Sequence, residues 1–599
     1  MRCIHVPQQY EARILAEKYL SKLSYVYHVL HGPSIPALIE ETYRQISNGP
    51  DRVRPGHMIL LLSIIASSTH LWAADDCCSQ ESEISPPPLF SSASEAAAQT
   101  SLWIKAAHDV LWSQKGGSPP DLETVLGIVV LTYLTYNLEG ASLQYRSLMV
   151  TGFVVGQELG LHRVDSQGRN DKEDTDVIRV EVGRRAWWYL VATDWYVRTS
   201  DWPYSITCPN VIPRISAARY GGPAEGVYHI VPHHMAVRKP LNIDDVDLSN
   251  GPNADQPLSV PTDMSYFLHR LRVAEVARAM VDDVSMAKAA AEDWEPASHH
   301  SLIMSLDVDL SQVIRDIPSF LDLDAYKVVP TSEQGERFIQ AYLLNSLIQS
   351  QRCKLHLDYL RSSWSARHST DSRASSPSRE TCLYAARRII RAERQLERTK
   401  HAFVQTRLRL SVILHGIFMA TIVLLMDTCV YGNTAQRESV ELDDDDLQDA
   451  LRIVEGAKAH SLAAARLHES LMHILARSRE QQSHRSISSP DVLTPAAITE
   501  VRQQLDPSEE ALLAGTEKMR SRSQGSHDPN AESQASHSTL LRSQGGPMVE
   551  VHSTPRYSHQ TSHDNADACT QSSLSQSDLM GMDDFEWELF STLGASSFF

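Results

Sequence analysis

Few residues in this chain are placed to do covalent chemistry. Two histidine pairs, His233-His234 and His299-His300, could ligate a metal or carry protons, but neither has a Cys or carboxylate beside it at metal-ligand spacing. Both pairs therefore read as solvated loop residues. The eight cysteines, at 3, 77, 78, 208, 353, 382, 429 and 569, include no CxxC pair, which argues against a thiolate zinc site and against a disulfide framework. With no secretory leader pattern ahead of them, a reducing compartment is expected. Gly221-Gly222 does not stand between a strand pattern and a helix pattern, as a dinucleotide loop requires, and there is no P-loop, HExxH or GxSxG. No nucleophile with its base and no paired carboxylates occur in a catalytic context, so the sequence reads as a non-enzyme.

The densest chemistry lies in RRAWWYLVATDW, residues 184–195. Ala186, Trp187, Leu190, Val191 and Asp194 recur at helical spacing, giving one face a large apolar surface with a carboxylate set in it. Arg184 and Arg185 precede that face, and Trp188 follows Trp187. A buried Asp is costly without a partner, and Arg163 in the upstream GLHR (160–163) is the partner expected.

The elements that must position these residues are helical almost throughout. Apolar residues recur at three and four spacing over 11–30, 35–47, 57–72, 92–112, 122–138, 142–161 and 177–195, then over 263–291, 301–317, 333–364, 379–400, 404–429 and 442–476. Breaks fall at Gly32-Pro33, Gly49-Pro50, Pro86-Pro87-Pro88 and between Gly116 and Pro120. The fold class expected is all-α, one large multi-helix body over 1–476. Two apolar runs, MILLLSIIA (58–66) and LSVILHGIFMATIVLLM (410–426), read as core helices: the first is too short to span a bilayer and the second carries His415 in its middle. Asp443 to Asp446 read as acids at a helix N-terminus.

Of 599 residues 42% are apolar, enough for a substantial core, and 55 basic against 74 acidic residues leave a net charge of −19. That balance argues against a chain whose main work is coating phosphate backbones, and any nucleic-acid contact would have to be local. From 477 to 577 the chain is rich in Ser, Gln, His and Asp, a composition too poor in large apolar residues to offset ordering entropy, and is expected to be a disordered linker. It ends at 578–599 in a different segment, opening DLMGMDDFEWELF. Acids there alternate with the apolar anchors Leu579, Phe585, Trp587, Leu589 and Phe590, the composition of an activation segment that docks in a coactivator groove.

The order of motifs resembles the regulatory middle homology domain of fungal zinc-cluster transcription factors. YHVLH (27–31) followed by Pro33-Ser34 comes first, then the pair 124–136 and 142–161 closing on GLHR. RRAWWYLVATDW is similar to the family's arginine-tryptophan-tryptophan helix ending in Asp, and KPLNIDDVD (239–247) to its proline-to-acidic stretch. The match covers roughly residues 5–475. The resemblance implies an all-α regulatory body, a place in the nucleus, transcription regulation of RNA polymerase II genes, and zinc and DNA binding by an attached six-cysteine module. This chain lacks those six cysteines, so no cofactor is expected in it: zinc requires an upstream module, and DNA is reached through a missing or partner module. Either the module is absent or the true start lies upstream of Met1.

A second departure follows Trp195. Deleting 196–214 would join DW to ISAARYGGP and continue the helix, whereas the segment itself carries Pro203, Pro209 and Pro213. Trp195-Tyr196-Val197 can be encoded with a splice-donor-like GTAYGT, and Arg214 with a terminal AG. Residues 196–214 are therefore read as a retained intron. The leading functional reading is a nuclear transcription regulator that engages coactivators through its C-terminal segment. The alternative is a non-DNA-binding co-regulator that forms a homo- or heterodimer with a complete zinc-cluster factor, and a membrane-associated helical protein is a weaker third.

Overall fold

Where the chain should start and stop helices, local groups do so. Asp121 accepts a hydrogen bond from the Thr124 amide (2.9 Å), and Ser142 one from the Tyr145 amide (3.1 Å), each satisfying an amide that the first helical turn leaves free. Pro36 and Pro55 occupy first-turn positions where no amide is needed. In a computed structural model the chain forms fifteen α-helices among the described residues. They are α1 (Gln9–Tyr19), α2 (Tyr25–Tyr27), α3 (Ile35–Ser47), α4 (Pro55–His70), α5 (Ala93–Ser113), α6 (Leu122–Glu139), α7 (Leu143–Glu158) and α8 (Val177–Val197). There follow α9 (Ser265–Ala290), α10 (Pro296–Arg315), α11 (Gly335–Ser365), α12 (Pro377–Glu397), α13 (Phe403–Thr406), α14 (Ser411–Tyr431) and α15 (Leu442–Ala457). The structure describes residues 4–472 apart from 50–51, 74–75, 77–88, 114–118, 141, 167–175, 198–227, 251–253, 291–295, 328–334, 366–376, 400, 432–441, 459–463, 466–467 and 470.

No strand occurs among the described residues, and all of them belong to one compact unit, so the all-α expectation holds. The linker at 477–577 and the anchors Leu579, Phe585, Trp587, Leu589 and Phe590 lie outside the described residues. So do 198–214, although Tyr196 and Val197 still belong to α8.

α4, α6, α8 and α14 are wrapped by the other helices: α4 packs on α1, α5 and α6, α8 on α9, and α14 on α11, α12 and α15. α4 contains the first apolar run and α14 the second from Ser411 on, and apart from half-buried Val412 both are buried, His415 included. Among the described residues no single helix is long and apolar enough to cross a membrane; the pair Phe403–Arg409 and Ser411–Asp427 passes by length and composition only and is bent by 73°.

Three helix expectations change. The run 404–429 breaks at extended Leu410, because Asn137 at the end of α6 draws the chain there: its Oδ1 accepts from the Ser411 amide (3.0 Å) and its carbonyl from the Ser411 hydroxyl (3.2 Å). The run 11–30 passes through a π-turn at Leu20–Ser24 and stops at Tyr27, where His28 turns left-handed at φ 33°. His300 sits in helix α10 rather than a loop, whereas His233 and His234 are exposed, as expected.

Candidate functional site

One face of α8 was expected to be apolar, but in the structure residues 181–196 are buried on every face. Its charged residues are in the interior because each finds a partner there, and the partners come from the other motif segments. Arg185, fully buried, donates from Nη1 to Asp245 Oδ1 at 2.6 Å. His28 Nε2 lies 3.1 Å from the same oxygen. The Gly32 amide donates to Asp245 Oδ2 (2.8 Å), and the Asp245 carbonyl is 3.0 Å from His31 Nε2. Asp245 thereby joins the YHVLH segment, α8 and the acidic stretch at one point.

A second cluster forms around the preceding residue. Arg184 grips Asp165 with Nε (3.0 Å) and Nη2 (2.6 Å) and donates from Nη1 to Glu181 (2.8 Å). Paired forks of this kind fix direction as well as charge. Glu181 also accepts from the Leu241 amide (2.8 Å), and Asp165 from the Arg238 amide (2.8 Å). The segment after GLHR is thus tied to 238–241, a link extended by the main-chain bond from Ala236 to His162 (2.8 Å).

Electrostatics follow from this burial. Burial by itself would raise the Asp245 carboxyl, but the His28 contact and the Arg185 charge outweigh it and hold the group below the ordinary carboxylate value. Asp165 is likewise lowered, its burial offset by Arg184 and the Arg238 amide. Arg185 leaves Nε and Nη2 without a hydrogen-bond acceptor, and its nearest second carboxylate, Glu181, is 3.8 Å from Nε.

The aromatic members of the motif pack the junction. Trp187 packs against Gly156, where a Cβ would stand 3.3 Å from the ring, a tight fit that would push the indole by a few tenths of an ångström. Trp188 donates from its indole to the Arg238 carbonyl (2.8 Å). Asp194 is satisfied differently from expectation. It accepts from the His229 and Ile230 amides (2.7 and 2.9 Å) and lies 3.1 Å from His229 Nδ1, so Arg163 is not the partner. Two main-chain amides thus supply the partners that a cation was expected to give. Asp446, read as an N-terminal acid, is buried and pairs with Arg394 and Arg391.

Sequence reasoning placed Arg184, Arg185, Trp187, Trp188 and Asp194 on one helix; the structure joins Arg184, Arg185 and Trp188 to the 165 and 238–245 segments, packs Trp187 on α7, and sets Asp194 apart, against the backbone of 229–230. It missed Asp165, Glu181, His28 and Asp245 as partners, although His28 and Asp245 lie inside the quoted motif stretches. The available signal was the presence of charged residues inside segments otherwise read as core.

Two groups could in principle hold a cation: His28 with Asp245 and Asp263, and His57 with Asp121 and Glu123. In the first, the Arg185 guanidinium already neutralises Asp245. In the second, Asp121 caps α6 and Glu123 pairs with Arg179 (2.7 Å). A zinc cluster needs grouped thiolates, and this chain does not fit it: no CxxC occurs, and the described Cys353 and Cys382 point at each other's carbonyls (3.7 and 3.6 Å).

Fold and site define a large all-helical body held by buried ion pairs between segments distant in the chain. The chain is 31% identical over 519 residues to the probable transcription factor lepB of Aspergillus flavus, covering 84% of this chain and 83% of that protein. It is 24% identical over 475 residues to the agnestins biosynthesis cluster transcription factor AgnL11 of Paecilomyces divaricatus (78% and 62%) and 27% identical over 391 residues to transcription factor TAS2 of Pyricularia oryzae (64% and 45%). The chain belongs to the fungal zinc-cluster transcription factor family and is a transcription regulator. It spans less than two thirds of the latter two relatives. No protein-family model matches it. Its backbone is similar to a chain in the structure of the K. lactis CBF3 core at 11% identity and a TM-score of 0.49, over 87% of this chain and 93% of that one, a likeness that says nothing of function.

Proposed function

We propose that the chain works in the nucleus on genes transcribed by RNA polymerase II, its helical body governing a C-terminal segment, 578–599, that recruits coactivators. The identity shared with lepB across most of both chains carries this reading. The body is read as non-catalytic, because the charged groups that its motifs gather are engaged with one another. DNA is reached through a six-cysteine zinc module outside these residues, or through a homo- or heterodimer with a complete factor that carries one; zinc belongs to that module.

The segment 578–590, fused to a heterologous DNA-binding domain, is expected to activate a reporter. Replacing Phe585, Trp587 and Phe590 together by Ala should return the signal to that of the unfused domain, since the acids keep these anchors exposed for a partner groove. If the triple variant activates as well as its parent, hydrophobic anchoring is not how the segment works.

Residues 196–214 are proposed to be a retained intron. Reverse-transcription sequencing across codons 190–220 should show a shorter message lacking them. A mature message that always contains the segment refutes this and makes it a genuine surface insertion, which costs little closure entropy.

A further inference from the structure

Beside the junction lies a cavity of about 60 Å³, open on part of its boundary, where seven helices meet. Six tyrosines face it: Tyr27, Tyr133, Tyr136, Tyr145, Tyr189 and Tyr266. Five of them pack ring against ring in pairs, with centroids 4.5 Å apart for Tyr27 and Tyr133, 5.7 Å for Tyr27 and Tyr189 and 5.2 Å for Tyr136 and Tyr145. Leu343, Leu347 and Val412 supply an aliphatic wall.

One charge enters this space. Arg270, on α9, lies over the faces of Tyr189 and Tyr196 (5.1 and 5.4 Å), and its Nη2 is 3.4 Å from the Thr193 hydroxyl. No Asp or Glu pairs with it among the described residues, and Nη1 is buried without a hydrogen-bond partner. A guanidinium stays charged at any physiological pH, and a desolvated donor left unmade is costly. Burial raises the phenol groups, to about 12 for Tyr189 and Tyr266, so these hydroxyls remain neutral and cannot serve as the counter-charge. The body therefore sets a cationic fork among phenols, with no carboxylate of the described residues paired to it.

We propose that this cavity binds a small monocarboxylic acid, its carboxylate on Arg270 and its apolar remainder against the tyrosine and aliphatic walls. The space admits a carboxylate group, and the open part of the boundary lets the rest of the molecule extend. A carboxylate matches the two-pronged geometry of a guanidinium better than a monatomic anion does. The cavity shares its walls with the junction: Tyr27 precedes His28, and Tyr189 follows Arg185 by one turn of α8. An occupant would therefore bear on the segments that Asp245 ties together. The inference stands on the cavity and does not rest on the activation segment.

Equilibrium dialysis of the full chain against benzoate, butyrate and acetate, each beside its amide, tests it. The acids should bind saturably, and each amide at least tenfold more weakly, since it brings no charge to Arg270. Arg270→Gln should weaken benzoate binding at least tenfold with the helical circular dichroism unchanged. Leu347→Phe, which fills space and alters no charge, should also exclude the ligand. An amide that binds as tightly as its acid, full benzoate binding by Arg270→Gln or by Leu347→Phe, or no saturable binding of any acid would each overturn the proposal. Should Arg270→Gln fail to fold, the acid and amide comparison together with Leu347→Phe still decides it.

Discussion

Asp245→Ala is expected to destabilise the folded body by about 3–5 kcal/mol, the cost of leaving one member of a buried ion pair alone. Arg185 would remain fully buried with Glu181, 3.8 Å from its Nε, as its other carboxylate, and the Gly32 amide would lose its acceptor. The midpoint of urea unfolding, read from tryptophan fluorescence, should fall accordingly. Adding Arg185→Met should recover much of the loss, because an apolar pair of similar size is often as stable as the ions it replaces, and the cycle should give a coupling of about 1–3 kcal/mol. A midpoint shift worth less than about 1 kcal/mol would mean that the junction does not hold these segments together. The pH dependence has a fixed sign. A carboxyl whose folded pKa is depressed contributes stability that is fully present above its unfolded value of about 3.9 and is lost as pH falls through the folded value. Unmutated protein should lose this part of its stability in acid, and Asp245→Asn should not show it.

Gly127→Ala is the second large effect. A Cβ there would stand 2.7 Å from Ile59 Cγ2, 2.8 Å from the Leu60 amide nitrogen and 3.0 Å from the Ile59 carbonyl carbon. Two of these three atoms are main chain of α4, so a rotamer change cannot relieve the clash. Ala gains up to about 1 kcal/mol in helix propensity, but overpacking at a buried crossing costs about 1–3 kcal/mol or more, and the net sign is destabilising. Gly456, in α15, has nothing within 4 Å of its would-be Cβ, so Gly456→Ala should leave stability unchanged or raise it by up to about 1 kcal/mol. Equal urea midpoints for the two variants would show that α4 and α6 do not approach as closely at Gly127 as the structure has them.

The sequence alone determined the helical class and most of the helix limits, because caps, proline positions and the 3.6-residue period act through neighbours a turn away. Residues 35–47 and the start at Leu122 coincide with their expectation for that reason. Where the limits failed, a distant group intervened: Asn137, some 270 residues earlier, ends the helix run at Leu410, and His28 leaves the helix at a left-handed turn beside Asp245. The family, too, was legible, since the order of short motifs survives without any knowledge of their contacts. What joined those motifs was not. Arg185 meets Asp245 across 60 residues and Asp194 meets the Ile230 amide across 36, distances over which periodicity carries no information. α8 shows the limit most plainly. Its spacing showed one apolar face, and only the tertiary structure, by supplying Asp165, Asp245 and two main-chain amides at the right depth, allowed every face of residues 181–196 to be buried.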